Sequence, residues 1–99
     1  MTARDAESVL LARCAAVAQD RASVAQDQRE ANVFRLAGMV FQSRFPEEAW
    51  RLMQASERHF AVHPGDRLSP DEVVRRGWVS SMPRLRDMLC LRLPLAEQG

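Results

Sequence analysis

Lysine, isoleucine and tyrosine are absent from this 99-residue chain, and threonine occurs once. Valine, at nine residues, is therefore nearly the whole β-branched supply, which argues against a sheet-rich domain. Two cysteines, Cys14 and Cys90, cannot build a disulfide framework. Both sit among apolar neighbours, as buried free thiols of a reducing compartment do. Four glycines and five prolines exclude collagen-like or linker-type composition. No long apolar run occurs: Val9 to Ala12 and Cys14 to Ala18 are split by Arg13. That is too short for a signal peptide or a membrane span. The expectation is a cytoplasmic protein, bacterial by its composition, that needs no membrane.

What is present favours helix. Ala, Leu, Met, Arg, Gln and Glu make up 56 of the 99 residues. A hydrophobic share of 46% beside 27% charge is that of a folded chain. The length fits one domain, with residues 1–4 and 95–99 read as loose termini. The fold class expected is all-α, a bundle of four to five helices with a long N-terminal helix.

Residues 5–30 lack Gly and Pro and read as that long helix. Val17-Ala18-Gln19-Asp20 recurs seven residues on as Val24-Ala25-Gln26-Asp27. Leu10, Val17, Val24 and Ala31 then form a row at heptad spacing, with Leu11, Ala18 and Ala25 beside it. A seven-residue period keeps a seam toward one partner helix, within the chain or in a homodimer. The alternative is a surface helix with one weakly apolar face. Val33, Leu36, Ala37 and Val40 continue with clear amphipathic spacing, flanked by Phe34 and Phe41. They form a second helix or continue the first. Gly38 weakens it by roughly 1 kcal/mol relative to Ala, and Phe45-Pro46 ends it.

Pro46-Glu47-Glu48 opens the next helix, where Pro fits the first position and the acids suit the dipole. Ala49, Trp50, Met53 and Phe60 give it an apolar side, with Leu52 on the flank, until the turn cluster His63-Pro64-Gly65-Asp66. Ser69-Pro70-Asp71-Glu72 has the spacing of a capping box, and Gly77 stops the short helix that follows. Ser80 or Ser81 caps a last helix with Met82, Leu85, Met88, Leu89 and Arg92 on one side, ended by Pro94. Phe34, Val40, Trp50, Met53 and Leu89 are expected in the core. Trp78 and Met82, in a turn beside arginines, are harder to bury.

Residues 33–56 resemble one tetratricopeptide unit. With Ala49 as that repeat's second-helix alanine, Leu36-Ala37 falls at its small-residue pair, and Met53 and Ser56 at later packing positions. The resemblance implies a helical hairpin with small residues at the crossing. The repeat's proline does not fall in place, since Pro64 comes three residues late, and its turn glycine is missing. One unit covers about a quarter of the chain, whereas arrays need about three. No family identification follows.

Fourteen arginines face thirteen acids, a net charge of +1, so the whole molecule has no field suited to nucleic acid. Using arginine alone as the basic residue reflects either a GC-rich coding sequence or bidentate recognition of carboxylate or phosphate. Locally, Arg75, Arg76, Arg84, Arg86 and Arg92 stand against Asp87. Residues 69–92 thus have the layout of a DNA-binding helix-turn-helix, with Arg84 and Arg86 as base readers and Arg75 and Arg76 on phosphate. Against it stand Pro83 near the turn and a second helix rich in apolar residues.

His59 and His63 share a helical face at a spacing that can hold zinc, but no further ligand cluster accompanies them and no metal is expected. No nucleophile elbow or Gly-rich phosphate cradle occurs, so no catalytic residue and no cofactor is assigned. The reading is a non-enzymatic protein-binding module: a small bacterial regulator of anti-activator or adaptor type. Its partner is a transcription factor or another protein. The partner-binding residues are Leu10, Val17, Val24, Arg75, Arg76, Trp78, Met82, Arg84 and Arg86. The alternatives are the helix-turn-helix regulator and a secretion co-chaperone.

Overall fold

The computed structural model describes the backbone of residues 3–79 and 81–90 and the side chains of 8–79 and 81–87. The described residues form five α-helices and no strand: α1 (Ala3–Val17), α2 (Gln28–Phe41), α3 (Pro46–Val62), α4 (Pro70–Arg75) and α5 (Met82–Cys90). A single 3-10 turn, Pro64–Asp66, follows α3. None of these helices is long and apolar enough to cross a membrane. The calls on Pro94, Arg92 and residues 95–99 lie outside the described residues, as do the side chains of Met88, Leu89 and Cys90.

The expected helix over 5–30 is interrupted. α1 ends at Val17, and residues 18–27 are a non-helical connection to α2. The two aspartates of the sequence repeat cause this. Asp20 accepts hydrogen bonds from the Ala22 N–H and the Ser23 hydroxyl, both at 2.9 Å, an Asx-type competitor to helix. Asp27 is the N-cap of α2 and accepts from the Glu30 N–H at 2.8 Å. Glu30 reaches back to the Gln26 N–H at 3.0 Å, so Asp27 and Glu30 act as a capping box displaced by one residue. The repeat is punctuation rather than a heptad.

Arginines hold this connection down. Arg51 donates to the Ala18 carbonyl at 3.0 Å. Arg58 donates to those of Arg21 and Ser23, both at 2.9 Å. Arg13 lies against the Glu30 carboxylate at 3.3 Å. One main-chain bond, from Ala25 N–H to Ala55 O at 3.2 Å, ties the same segment to α3. A planar fork of five N–H donors can satisfy carbonyls that no helix claims.

α2 and α3 form a hairpin and the centre of the fold. α2 is buried almost all round, through Ala31, Asn32, Val33, Phe34, Leu36, Ala37, Gly38 and Phe41. α3 turns Ala49, Leu52, Ala55, Ser56, His59 and Phe60 inward. Leu52 is therefore core and Trp50 is flank, the reverse of the sequence reading. Gly38 lies close to Ala49, since a Cβ added to it would sit 3.0 Å from the Ala49 carbonyl oxygen, and this close crossing is consistent with Ala49 facing inward and Trp50 outward. α1 covers the hairpin with Leu10, Leu11, Cys14 and Val17. α4 docks on α2, whereas α5 docks on α1 and α2. Phe34 is fully buried, while Val40 is only partly so; Met53 is half-buried.

Cys14 has no exposed surface. Burial, and secondarily the Glu30 carboxylate, push its thiol well above the usual range. In a Cys90→Ala background, Cys14 should react with a thiol reagent on the order of 10³-fold more slowly than in the unfolded chain, because reaction requires opening. Stopped-flow thiol titration reads this directly; a comparable rate in the native protein would place Cys14 at the surface. The sign with pH follows. The unfolded thiol ionises above about pH 8.5 while the folded one stays protonated, so stability falls as pH rises beyond that point.

Candidate partner-binding surface

The sequence-predicted residues divide between interior and surface. Leu10 and Val17 are 3% and 0% exposed and pack in the chain's own core, while Val24 is 46% exposed on the α1–α2 connection. With α1 ending at Val17, the three do not line one helical seam.

Around α4 the geometry is mainly ionic. Ser69 caps the helix through the Glu72 N–H at 3.2 Å, as its sequence implies. The Glu72 side chain is taken by Arg75 at 2.7 Å and by Arg76 at 2.8 Å. The hydrogen bond from Arg76, followed by the nearby guanidinium charges, holds the Glu72 carboxyl below its usual range. Arg76 lies over the Trp78 ring at 5.3 Å, and Trp78 and Met82 are half-buried against the core. Gly77, at φ 78°, makes the turn, a backbone position that favours glycine. Ser81 then caps α5 through the Arg84 N–H at 3.2 Å. Arg84 is exposed.

Arg86 lies 3.5 Å from Asp87. It lines a depression of about 500 Å³ with Val40, Phe41, Ser43 and Arg44. The structure thus brings Arg75, Arg76 and Trp78 together and sets Arg86 beside Phe41. Over 71–87, Asp71, Glu72 and Asp87 offset three of the four arginines, so the charge available to phosphate is small. The six residues 76–81 between α4 and α5 exceed the turn of about 3–4 residues in a helix-turn-helix.

The histidine pair is occupied within the fold. His59 is buried and its Nε2 lies 2.7 Å from Asp66 Oδ2. The His63 ring is tilted against it at 4.8 Å between centroids. Among the described residues no group of three His, Cys, Asp or Glu side chains could hold a metal.

Trp50 is 52% exposed and lines an open depression of about 410 Å³ with Arg21, Pro46, Glu47 and Arg51. Pro46 and Trp50 come from the first turns of α3, and Arg21 from the connection that Asp20 and the arginine clamps shape. Arg51 is satisfied by the Ala18 carbonyl and by Glu47 at 3.2 Å. The Arg21 guanidinium has no such partner among the described residues.

Comparisons with protein-family models, with curated proteins and with solved structures return no match.

The sequence places Trp50 in the core and does not single out Arg21. The spacing of Ala49, Leu52, Ser56 and Phe60 fits one helical side, but so does that of Ala49, Trp50, Met53 and Phe60, and the sequence alone does not choose between them. Nothing in the local sequence marks Arg21, because its position depends on where α1 stops.

Proposed function

We propose that this chain is a non-enzymatic protein-binding module, a small bacterial cytoplasmic regulator of anti-activator or adaptor type. It holds a transcription factor or another protein through its helical surface. The observation that carries the reading is Trp50, more than half exposed and lining one depression with Pro46 and Arg21. A tryptophan left in water at a depression of that size has the character of an interface anchor: Trp and Arg are the residue types richest in binding energy. Trp78 under Arg76 adds a second aromatic–arginine surface near α4.

The test is affinity capture from the native cytoplasm with mass spectrometry, beside light scattering. A captured protein should be lost at least about thirtyfold on Trp50→Ala, the scale of an anchor worth 2 kcal/mol or more, with helical circular dichroism unchanged. Self-association through the same face would appear as a mass that Trp50→Ala halves. A monomer that captures no protein counts against the proposal. Tight binding to bulk duplex DNA with a steep salt slope would instead favour the helix-turn-helix alternative.

A further inference from the structure

We infer that the Trp50 depression is built for an acidic apolar segment of a partner protein: one carboxylate for Arg21, and one aromatic or aliphatic side chain for the indole and Pro46. The inference rests on the protein-binding reading and adds the partner's chemistry to it. Its basis is charge complementarity.

Three charged side chains line the depression. Arg51 and Glu47 neutralise each other at 3.2 Å, and Arg51 is further anchored on the Ala18 carbonyl at 3.0 Å. The Arg51 side chain is 17% exposed and belongs to the wall, whereas Glu47, 75% exposed, is held in place by Arg51. Arg21 is then the uncompensated charge. Its own backbone is fixed, because its carbonyl accepts from Arg58 at 2.9 Å. The guanidinium is therefore exposed but starts from an anchored residue, which lowers the ordering cost of binding. A planar guanidinium with free N–H donors matches a carboxylate bidentately. Beside it, Trp50 and Pro46 offer a rigid apolar surface. A volume of about 410 Å³ lies at the low end of ligand pockets, about 300–1,000 Å³, which gives room for one or two side chains. A lysine-rich segment would meet Arg21 with like charge, and a purely apolar one would leave it unmatched.

The experiment is selection of a random 12-residue peptide library on the full chain, with counter-selection on the Trp50→Ala, Arg21→Gln double variant. Enriched sequences should place Asp or Glu within three or four positions of Phe, Trp or Leu. An enriched peptide is then synthesised and titrated by Trp50 fluorescence in a Trp78→Phe background. Arg21→Gln should weaken it about fivefold to tenfold and flatten its dependence on salt. Replacing the peptide's acid by lysine should weaken it at least as much. Trp50→Ala, followed by peptide anisotropy, should abolish binding. Enrichment of basic or neutral sequences, no enrichment, or an affinity indifferent to Arg21→Gln overturns the inference. If the native capture yields a Trp50-dependent protein while the library enriches no acidic sequence, the inference fails and the protein-binding reading stands. Acidic enrichment with no native protein captured is the reverse outcome.

Discussion

Replacing Asn32 with alanine lowers the unfolding free energy by about 3 kcal/mol, a loss far larger than the chain's one asparagine suggests by size. Asn32 is 1% exposed in the middle of the first turns of α2. Its Nδ2 donates to the Gln28 carbonyl at 2.8 Å and to the Asp66 carbonyl at 2.9 Å. Its Oδ1 accepts from the Leu68 N–H at 2.8 Å. One side chain thus fastens the 66–68 segment, which leads from the 3-10 turn to α4, to the centre of the fold. In the alanine variant the Leu68 N–H loses its acceptor. The Asp66 carbonyl keeps only the 3.2 Å bond from Gln28. Each part-buried polar group left without a partner costs about 1–3 kcal/mol, and the missing amide also leaves a void. Asn32→Asp keeps the acceptor for Leu68 but places an ionisable carboxyl against the Asp66 carbonyl, so it should not restore stability. Urea denaturation measures the loss, and amide exchange at Leu68 locates it. A change under about 1 kcal/mol would show that the segment is held by its neighbours instead.

Asn32 also shows where sequence reading stops. Periodicity found the inward face of α2 because Val33, Leu36 and Ala37 repeat on a helical period. Cap chemistry found the start of α4 because Ser69 and Pro70 act within one turn, although the Glu72 side chain pairs with Arg75 and Arg76. The all-α class followed from composition. Features that depend on residues distant in sequence were not legible. Arg51 and Arg58 shape a connection some 35 positions before them, and the choice of arginine for that work cannot be distinguished from a compositional bias. The α1 boundary was misplaced because a seven-residue repeat satisfies both a heptad and two aspartate caps. The caps prevail, as each satisfies backbone donors directly. Trp50 was misplaced for a related reason. Ala49, Trp50, Met53 and Phe60 fit one helical side as well as Ala49, Leu52, Ser56 and Phe60 do. Only the closeness of the facing helix selects between them.

That closeness is measurable at Gly38. Gly38→Val should destabilise the protein by about 3 kcal/mol and Gly38→Ala by about 1 kcal/mol, although glycine in a helix interior is itself unfavourable. Alanine would gain about 1 kcal/mol from propensity alone. Its methyl group, however, would overlap Met53 Cγ and lie 3.0 Å from the Ala49 carbonyl oxygen. The methionine can rotate away. The carbonyl belongs to the α3 backbone and recedes only if the hairpin opens, and core overpacking costs about 1–3 kcal/mol. Valine adds two further methyl carbons on the same line of approach. The two obstacles separate in a double-mutant cycle. In a Met53→Ala background the penalty of Gly38→Ala should shrink toward zero, a coupling of about 1 kcal/mol. In the same background Gly38→Val should remain costly, because the Ala49 carbonyl is still there. If Gly38→Ala alone raised the unfolding free energy by the full propensity gain, the two helices would be farther apart than the Gly38–Ala49 crossing requires. Trp50 would then lose the reason for its outward rotation.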